Sequence, residues 1–225
     1  MIIAIDGPSG AGKSTLGKML ATKFGLLYLD TGAMYRAVAL ASVQANVRLD
    51  ESEKVAAIAE KARIELIGEP DSLQVFMDGD DVTAAIRTLE IAQAASVVST
   101  NSEVRRIMVR HQREIGNAAP NGCVLEGRDI GSVVFPDADI KFFLTAKPDA
   151  RARRRFEEDK AKGRSSSYEQ TLAEINQRDE RDVSRADSPL TIADDAVVID
   201  TSELDLSEVF EAMLAKIQEQ KASAA

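Results

Sequence analysis

Ile2-Ile3-Ala4-Ile5-Asp6-Gly7-Pro8-Ser9-Gly10-Ala11-Gly12-Lys13-Ser14-Thr15 is the stretch that decides the fold. Ile2–Ile5 is continuously apolar, as in a strand covered on both faces. Leu16, Met19, Leu20 and Phe24 then recur at the spacing of one helical face. Between strand and helix, Gly7, Gly12, Lys13 and Ser14 fit the phosphate-loop pattern Gly-x4-Gly-Lys-Ser in the context it requires. The glycines let successive N–H groups converge on phosphate oxygens, and the helix N-terminus adds partial positive charge. Lys13 is placed to bridge terminal phosphates, and the Ser14 hydroxyl suits Mg²⁺, a hard, oxygen-seeking ion. This stretch implies a nucleoside triphosphate site.

The same alternation continues along the chain. Leu27–Leu29, Cys123–Glu126, Ile140–Leu144 and Ala196–Ile199 read as further strands separated by helical stretches, the order that builds a parallel sheet. Ser167 with Gln170 forms a capping box before Tyr168, Leu172 and Ile175. Asp205 with Glu208 opens another helix, with Val209, Met213 and Ile217 on its apolar side. One segment departs from this rhythm. From 63 to 83, Ile64/Leu66 and Leu73/Val75/Met77 recur at period two around Gly68-Glu69-Pro70-Asp71 and Asp78-Gly79, which predicts a small antiparallel insertion. The Ala-rich end after Gln220 is expected to fray.

Composition removes several classes. The 225 residues are 44% hydrophobic, enough for one domain with an insertion. A net charge of −9 excludes general nucleic-acid or anionic-membrane binding, so an anionic partner must be held by local arginines. No apolar run is long enough for a membrane span. A single Cys, Cys123, excludes a disulfide framework and fits a reducing compartment. The one His, His111, supplies no histidine cluster for a metal. GTPases would need a guanine-reading Asn-Lys-x-Asp stretch, which is absent. A motor ATPase would want adjacent acids after a strand, whereas Val124-Leu125-Glu126 runs into Gly127-Arg128-Asp129.

Arginines instead gather at element ends. Arg36 follows the second strand and Arg128 the third, and such strand ends line the ligand crevice of an open α/β sheet. Their planar forks suit a second phosphate. Arg151, Arg154 and Arg155 share one face of a helix after Pro148 while Arg153 points away, a face able to close over transferring phosphates. The polar Lys160–Ser167 stretch, with Gly163, would let it move. Arg178, Asp182 and Arg185 continue the inward stripe of Tyr168, Leu172 and Ile175, and the arginines would keep Asp182 ionised.

Gly7–Thr15, Asp30–Arg36, Ile86-Arg87-Thr88, Gln93–Ser96, Glu126–Gly131, Val134–Ala138 and Arg178–Arg185 together resemble the bacterial cytidylate kinases, in register over nearly the whole chain. The resemblance implies an α/β fold: a P-loop three-layer α/β/α domain over 1–225 with a five-stranded parallel sheet. It further implies an acceptor-binding insertion at about 31–119, its small β part at about 63–83, and a helical lid at about 149–185. It implies Mg-ATP-dependent phosphorylation of CMP and dCMP by a cytoplasmic monomer, with UMP a poor substrate. ATP would lie at Gly7, Pro8, Ser9, Gly10, Ala11, Gly12, Lys13, Ser14 and Thr15, with Mg²⁺ on Ser14. Ser96, Arg105, Asp182 and Arg185 would surround the cytosine, with Tyr35 alongside. Thr31, Asp129 and Arg178 would meet the sugar, and Arg36 and Arg128 the phosphate. Arg151, Arg154 and Arg155 resemble lid arginines, Arg154 also reaching adenine.

The acceptor oxygen belongs to a phosphate whose second pKa is about 6, so no general base is required. A carboxylate such as Asp182 would accept from the cytosine amino group and repel the uracil oxygen. Two other readings stay open on the residues: a kinase of another small acceptor such as UMP or shikimate, and an ATP-binding regulatory module.

Overall fold

Alternate residues of each central strand enter opposite cores, and this alternation builds the three layers. A computed structural model of the chain describes residues 1–161, 163 and 167–223. Five parallel strands form the main sheet: β1 (Ile2–Asp6), β2 (Leu27–Asp30), β6 (Cys123–Gly127), β7 (Ile140–Thr145) and β8 (Val197–Asp200), in the order β2-β6-β1-β7-β8. Ile3, Ile5, Tyr28, Val124, Phe142 and Leu144 face α1 (Lys13–Phe24) and α8 (Leu206–Ser223), meeting Leu16, Leu20, Val209, Met213 and Ile217. Ala4, Leu29, Cys123 and Leu125 point the other way, into a cluster with residues of α2 (Thr31–Gln44), α3 (Ser52–Lys61), α4 (Leu89–Val98) and α5 (Ser102–Ala118). Each fully buried Ile, Leu or Phe stabilises the fold by about 1.5–3 kcal/mol. All five expected strands are present, within a residue or two at their ends. α6 (Pro148–Ala161) and α7 (Tyr168–Ser184) complete the helices, and the Ser167–Gln170 capping box opens α7.

The insertion is a three-stranded antiparallel sheet of β3 (Ile64–Ile67), β4 (Gln74–Met77) and β5 (Asp80–Asp81). Asp78 (φ 54°) and Gly79 (φ 94°) both take left-handed backbone, the two-residue turn that suits the right-handed twist of a hairpin. Ile64, Val75 and Met77 join the α2–α5 cluster, while Leu73 reaches across to the α1 side. The C-terminal end departs from expectation. It stays helical past Gln220 to Ser223, and Ala224 and Ala225 lie outside the described residues. Half of the hinge expected within Lys160–Ser167, namely 162 and 164–166, also lies outside them.

Parallel pairing brings the strand C-termini to one edge. Asp6 pairs with Gly127 and Asp30 with Glu126, so the phosphate loop, the start of α2 and Arg128-Asp129 emerge side by side. Among the described residues no helix is long and apolar enough to cross a membrane.

Candidate active site

The loop after β1 is shaped by close backbone approach. A Cβ on Gly7 (φ 143°) would lie 2.0 Å from the Leu144 carbonyl oxygen, so only glycine lets the loop leave between β1 and β7. Gly12 (φ 91°) precedes the first turn of α1. Lys13 folds back over the loop and donates from Nζ to the Pro8 carbonyl at 2.8 Å. Burial, then the charge of Arg128, pulls its pKa down to about 7, against the attraction of Glu126. The Tyr28 hydroxyl donates to Glu126 Oε1 at 2.5 Å, and the nearby Ser14 hydroxyl favours the ionised form of the same carboxylate. Burial, then the neighbouring Asp30 charge, pushes the Glu126 pKa up.

Opposite the loop lies a set of paired arginines. Asp30 caps α2, accepting from Ala33 N at 2.9 Å, and binds Arg36 at 2.7 Å. Arg105, over the Tyr35 ring at 5.6 Å, holds Asp129 at 2.5 Å. Arg128 Nε holds Asp182 Oδ2 at 2.6 Å, with Arg185 3.7 Å from the other oxygen. Burial opposes the Asp182 charge, but Arg128, Arg178 and Arg185 carry its pKa below the ordinary carboxylate value, as its position between arginines predicts. Thr31 Oγ1 donates to the Glu126 carbonyl at 2.6 Å.

The arginines keep spare donors. Nε of Arg36, Arg105 and Arg178 and Nη2 of Arg185 are buried with no hydrogen-bond partner. Arg178, crowded by burial and by Arg128, has its pKa drawn down to about 10. Buried donors left unmet cost about 1–3 kcal/mol each, so the site is built for an acceptor-rich guest.

One cavity of about 1670 Å³ joins both sides. Ser9 through Thr15 line it, as do Thr31, Tyr35, Arg36, Ser96, Arg105, Arg128, Asp129, Arg154, Arg155, Arg178, Asp182 and Arg185. Three expected residues stand elsewhere. Gly7 and Pro8 are absent from the lining, the first committed to its approach to Leu144 and the second to the Lys13 ammonium. Arg151, expected among the arginines that close over the phosphates, is only 2% exposed and is not among the cavity-lining residues. Its guanidinium is held by Ala146 O, Ser9 O and both Asp179 oxygens. Arg154 donates to Thr201 Oγ1 at 3.0 Å and to the Thr201 carbonyl, and Arg155 lies 3.2 Å from Asp159.

Sequence reading missed several participants. Asp6 accepts from the backbone N–H groups of Ile130 (2.8 Å) and Gly131 (2.7 Å), fixing the π-helical turn Ile130–Val134 that follows Asp129. Burial raises its pKa to about 6 despite those two hydrogen bonds. Its place at the end of the first strand is the one local signal. Arg181, which donates to Ser96 Oγ at 3.2 Å, and Asp179 fall within the Arg178–Arg185 stretch, but sequence reading gave neither of them a role.

A glycine cradle on a strand–helix junction, facing a cluster of arginines at neighbouring strand ends, defines a P-loop protein of the kinase type. The chain belongs to the cytidylate kinase family: residues 3–219 match the family described as Cytidylate kinase. A cytidylate kinase of Caldanaerobacter subterraneus subsp. tengcongensis is 51% identical over 209 residues, spanning 93% of this chain and 91% of the relative. One from Bacillus subtilis is 45% identical over 217 residues, 96% of each chain. Among solved structures, an uncharacterized protein from Eubacterium ventriosum superposes with a TM-score of 0.54 at 14% identity, over 97% of this chain and 98% of that one, a likeness of fold alone.

Proposed function

We infer that the chain is a nucleotide kinase that moves the γ-phosphoryl group of ATP to CMP or dCMP, giving ADP and CDP or dCDP. Family membership supports the activity. The observation that carries the geometry is the presence of Lys13 and the unmet donors of Arg36 and Arg178 in one cavity. ATP belongs on the loop side, along Ser9–Thr15. CMP belongs opposite, its phosphate among Arg36, Arg128 and Arg178, its sugar near Thr31 and Asp129, and its base near Tyr35, Ser96, Arg105, Asp182 and Arg185.

In the transfer, an oxygen of the CMP phosphate forms a bond to the γ-phosphorus while the bond to the β,γ-bridging oxygen breaks, leaving ADP. Such reactions ask a protein mainly for positioning and charge neutralisation. Lys13 and the arginines supply both, and a phosphate acceptor needs no general base. Arg154 and Arg155 are the arginines of α6 that face the cavity. The segment 31–119 between β2 and β6 acts as the acceptor-binding part, with 63–83 its β portion, and 149–185 as the lid.

The donor set around Ser14 fits Mg²⁺. The Ser14 hydroxyl and the Glu126 carboxylate are hard oxygens that line the same cavity. Among the described residues no group of three or more Asp, Glu, His or Cys could hold a metal ion. Ser14 and Glu126 would hold Mg²⁺, and it would supply charge neutralisation along the ATP phosphates. We take the enzyme to act as a monomer in the cytoplasm, a reducing compartment that the free, buried Cys123 fits. ADP formation measured across CMP, dCMP, UMP, AMP and shikimate tests the reading. Turnover confined to CMP and dCMP is expected, and turnover with shikimate alone would overturn it.

A further inference from the structure

Arg151 makes four hydrogen bonds to three separate parts of the chain. Its Nε donates to Ala146 O at 2.8 Å, just past β7, and Nη1 to Ser9 O in the phosphate loop at 3.2 Å. Its fork then meets Asp179 on α7 bidentately, Nη1 to Oδ1 at 3.1 Å and Nη2 to Oδ2 at 2.6 Å. Paired planar geometry of this kind fixes orientation as well as distance. The loop is backed by the same residue: a Cβ on Gly10 would lie 3.1 Å from Arg151 Cβ. Ser9 C=O and Gly10 N–H belong to one planar trans peptide, so a carbonyl held by Arg151 turns the Gly10 N–H the opposite way.

Asp179 sits between residues that face the cavity. Arg178, Arg181 and Asp182 line it, whereas neither Asp179 nor Arg151 does. One turn of α7 therefore presents the acceptor side with Arg178 and Asp182 and grips the donor loop through Asp179. A rotation or slide of that turn strains the Asp179–Arg151 fork and, through it, the Ser9 peptide.

We propose that Asp179 is a positioning residue that acts through Arg151 to lock the phosphate loop and the acceptor-facing side of α7 in one register. Each nucleotide then strengthens the binding of the other. The proposal rests on the reading of the two sides of the cavity as donor and acceptor sites. Such coupling is reciprocal, since it is a property of the two binding free energies.

Calorimetric titration of CMP into the full chain, alone and with a saturating non-hydrolysable ATP analogue, reads the coupling directly; the reverse titration must return the same factor. In the unaltered protein the analogue tightens CMP about fivefold or more. Asp179→Ala brings that ratio close to one, while CMP affinity without the analogue moves by less than about twofold. Asp179→Asn, which keeps the shape and one acceptor oxygen, gives an intermediate ratio and serves where the alanine variant does not fold. A ratio unchanged in the variants overturns the proposal. Equal loss of CMP affinity with and without the analogue also overturns it, because simple support of α7 gives that result. A ratio of one in the unaltered protein does the same. Normal binding of the analogue with no binding of CMP under any condition instead removes the acceptor reading beneath it.

Discussion

Replacing Arg128 by alanine is expected to act in opposite directions on CMP and on cytidine. In the structure the guanidinium of Arg128 occupies Asp182, the carboxylate assigned to the cytosine amino group, at 2.6 Å. The two side chains are only 14% and 8% exposed, so solvent does little to loosen them. A nucleoside without phosphate must break that pair to reach Asp182. A nucleotide brings an anion that offers Arg128 another partner. A hydrogen bond to a charged group contributes about 1.5–3 kcal/mol, so Arg128→Ala should weaken CMP by about 10- to 150-fold. Cytidine, now meeting a carboxylate already free, should gain up to about tenfold by the same scale. Removing one partner of a buried pair costs about 3–5 kcal/mol at most, less here because Arg178 and Arg185 still attend Asp182. Calorimetry with both ligands on the unaltered and altered proteins, each checked by a thermal melt, decides the matter. Equal weakening of CMP and cytidine refutes the reasoning, since Arg128 would then merely hold Asp182 in shape.

Three further perturbations probe separate parts of the site. Asp182→Asn exchanges an acceptor-only group for one that also donates, so the ratio of kcat/KM for CMP over UMP should fall by about 100-fold or more, and an unchanged ratio removes Asp182 from base reading. Lys13→Ala should lower kcat by at least about 100-fold while CMP affinity changes little, and normal turnover would exclude Lys13 from the transfer. Asp6 holds its proton more tightly when folded, at about 6 against 3.8, so its stabilising contribution is complete below pH 3.8 and is lost as pH rises through 6. Between pH 4 and 7 the unaltered protein should therefore lose about 2 kcal/mol that Asp6→Asn does not, and parallel urea-unfolding curves for the two across that range would contradict it.

The strands and both capping boxes were legible because they are local patterns: continuous apolar runs, and polar pairs three residues apart. The insertion announced itself through Ile64/Leu66 and Val75/Met77 at period two, and the phosphate loop through its glycines and Lys13. The arginine cluster was legible in outline, since Arg36 and Arg128 follow strands whose ends must converge. Partner choice was not. Arg151 carries the same helical signal as Arg154 and Arg155, and only Asp179, 28 residues away on another helix, separates the tether from the two cavity-facing cations. Asp6 likewise finds its amide partners 124 and 125 residues further on. Contacts between elements depend on how helices are set against the sheet, and periodicity within one element carries no record of that.

Asp6 and Gly127 are register partners on adjacent parallel strands, which lie about 4.8 Å apart. The spacing between the phosphate loop and the arginine-bearing segment after β6 is thus inherited from backbone geometry that no side-chain replacement can stretch. Drift toward a bulkier or differently decorated guest has to be absorbed by α4, α5 and α7, which ride on the sheet without belonging to it. Among descendants of this scaffold, the reach of the transfer should stay constant while the shape of the guest varies.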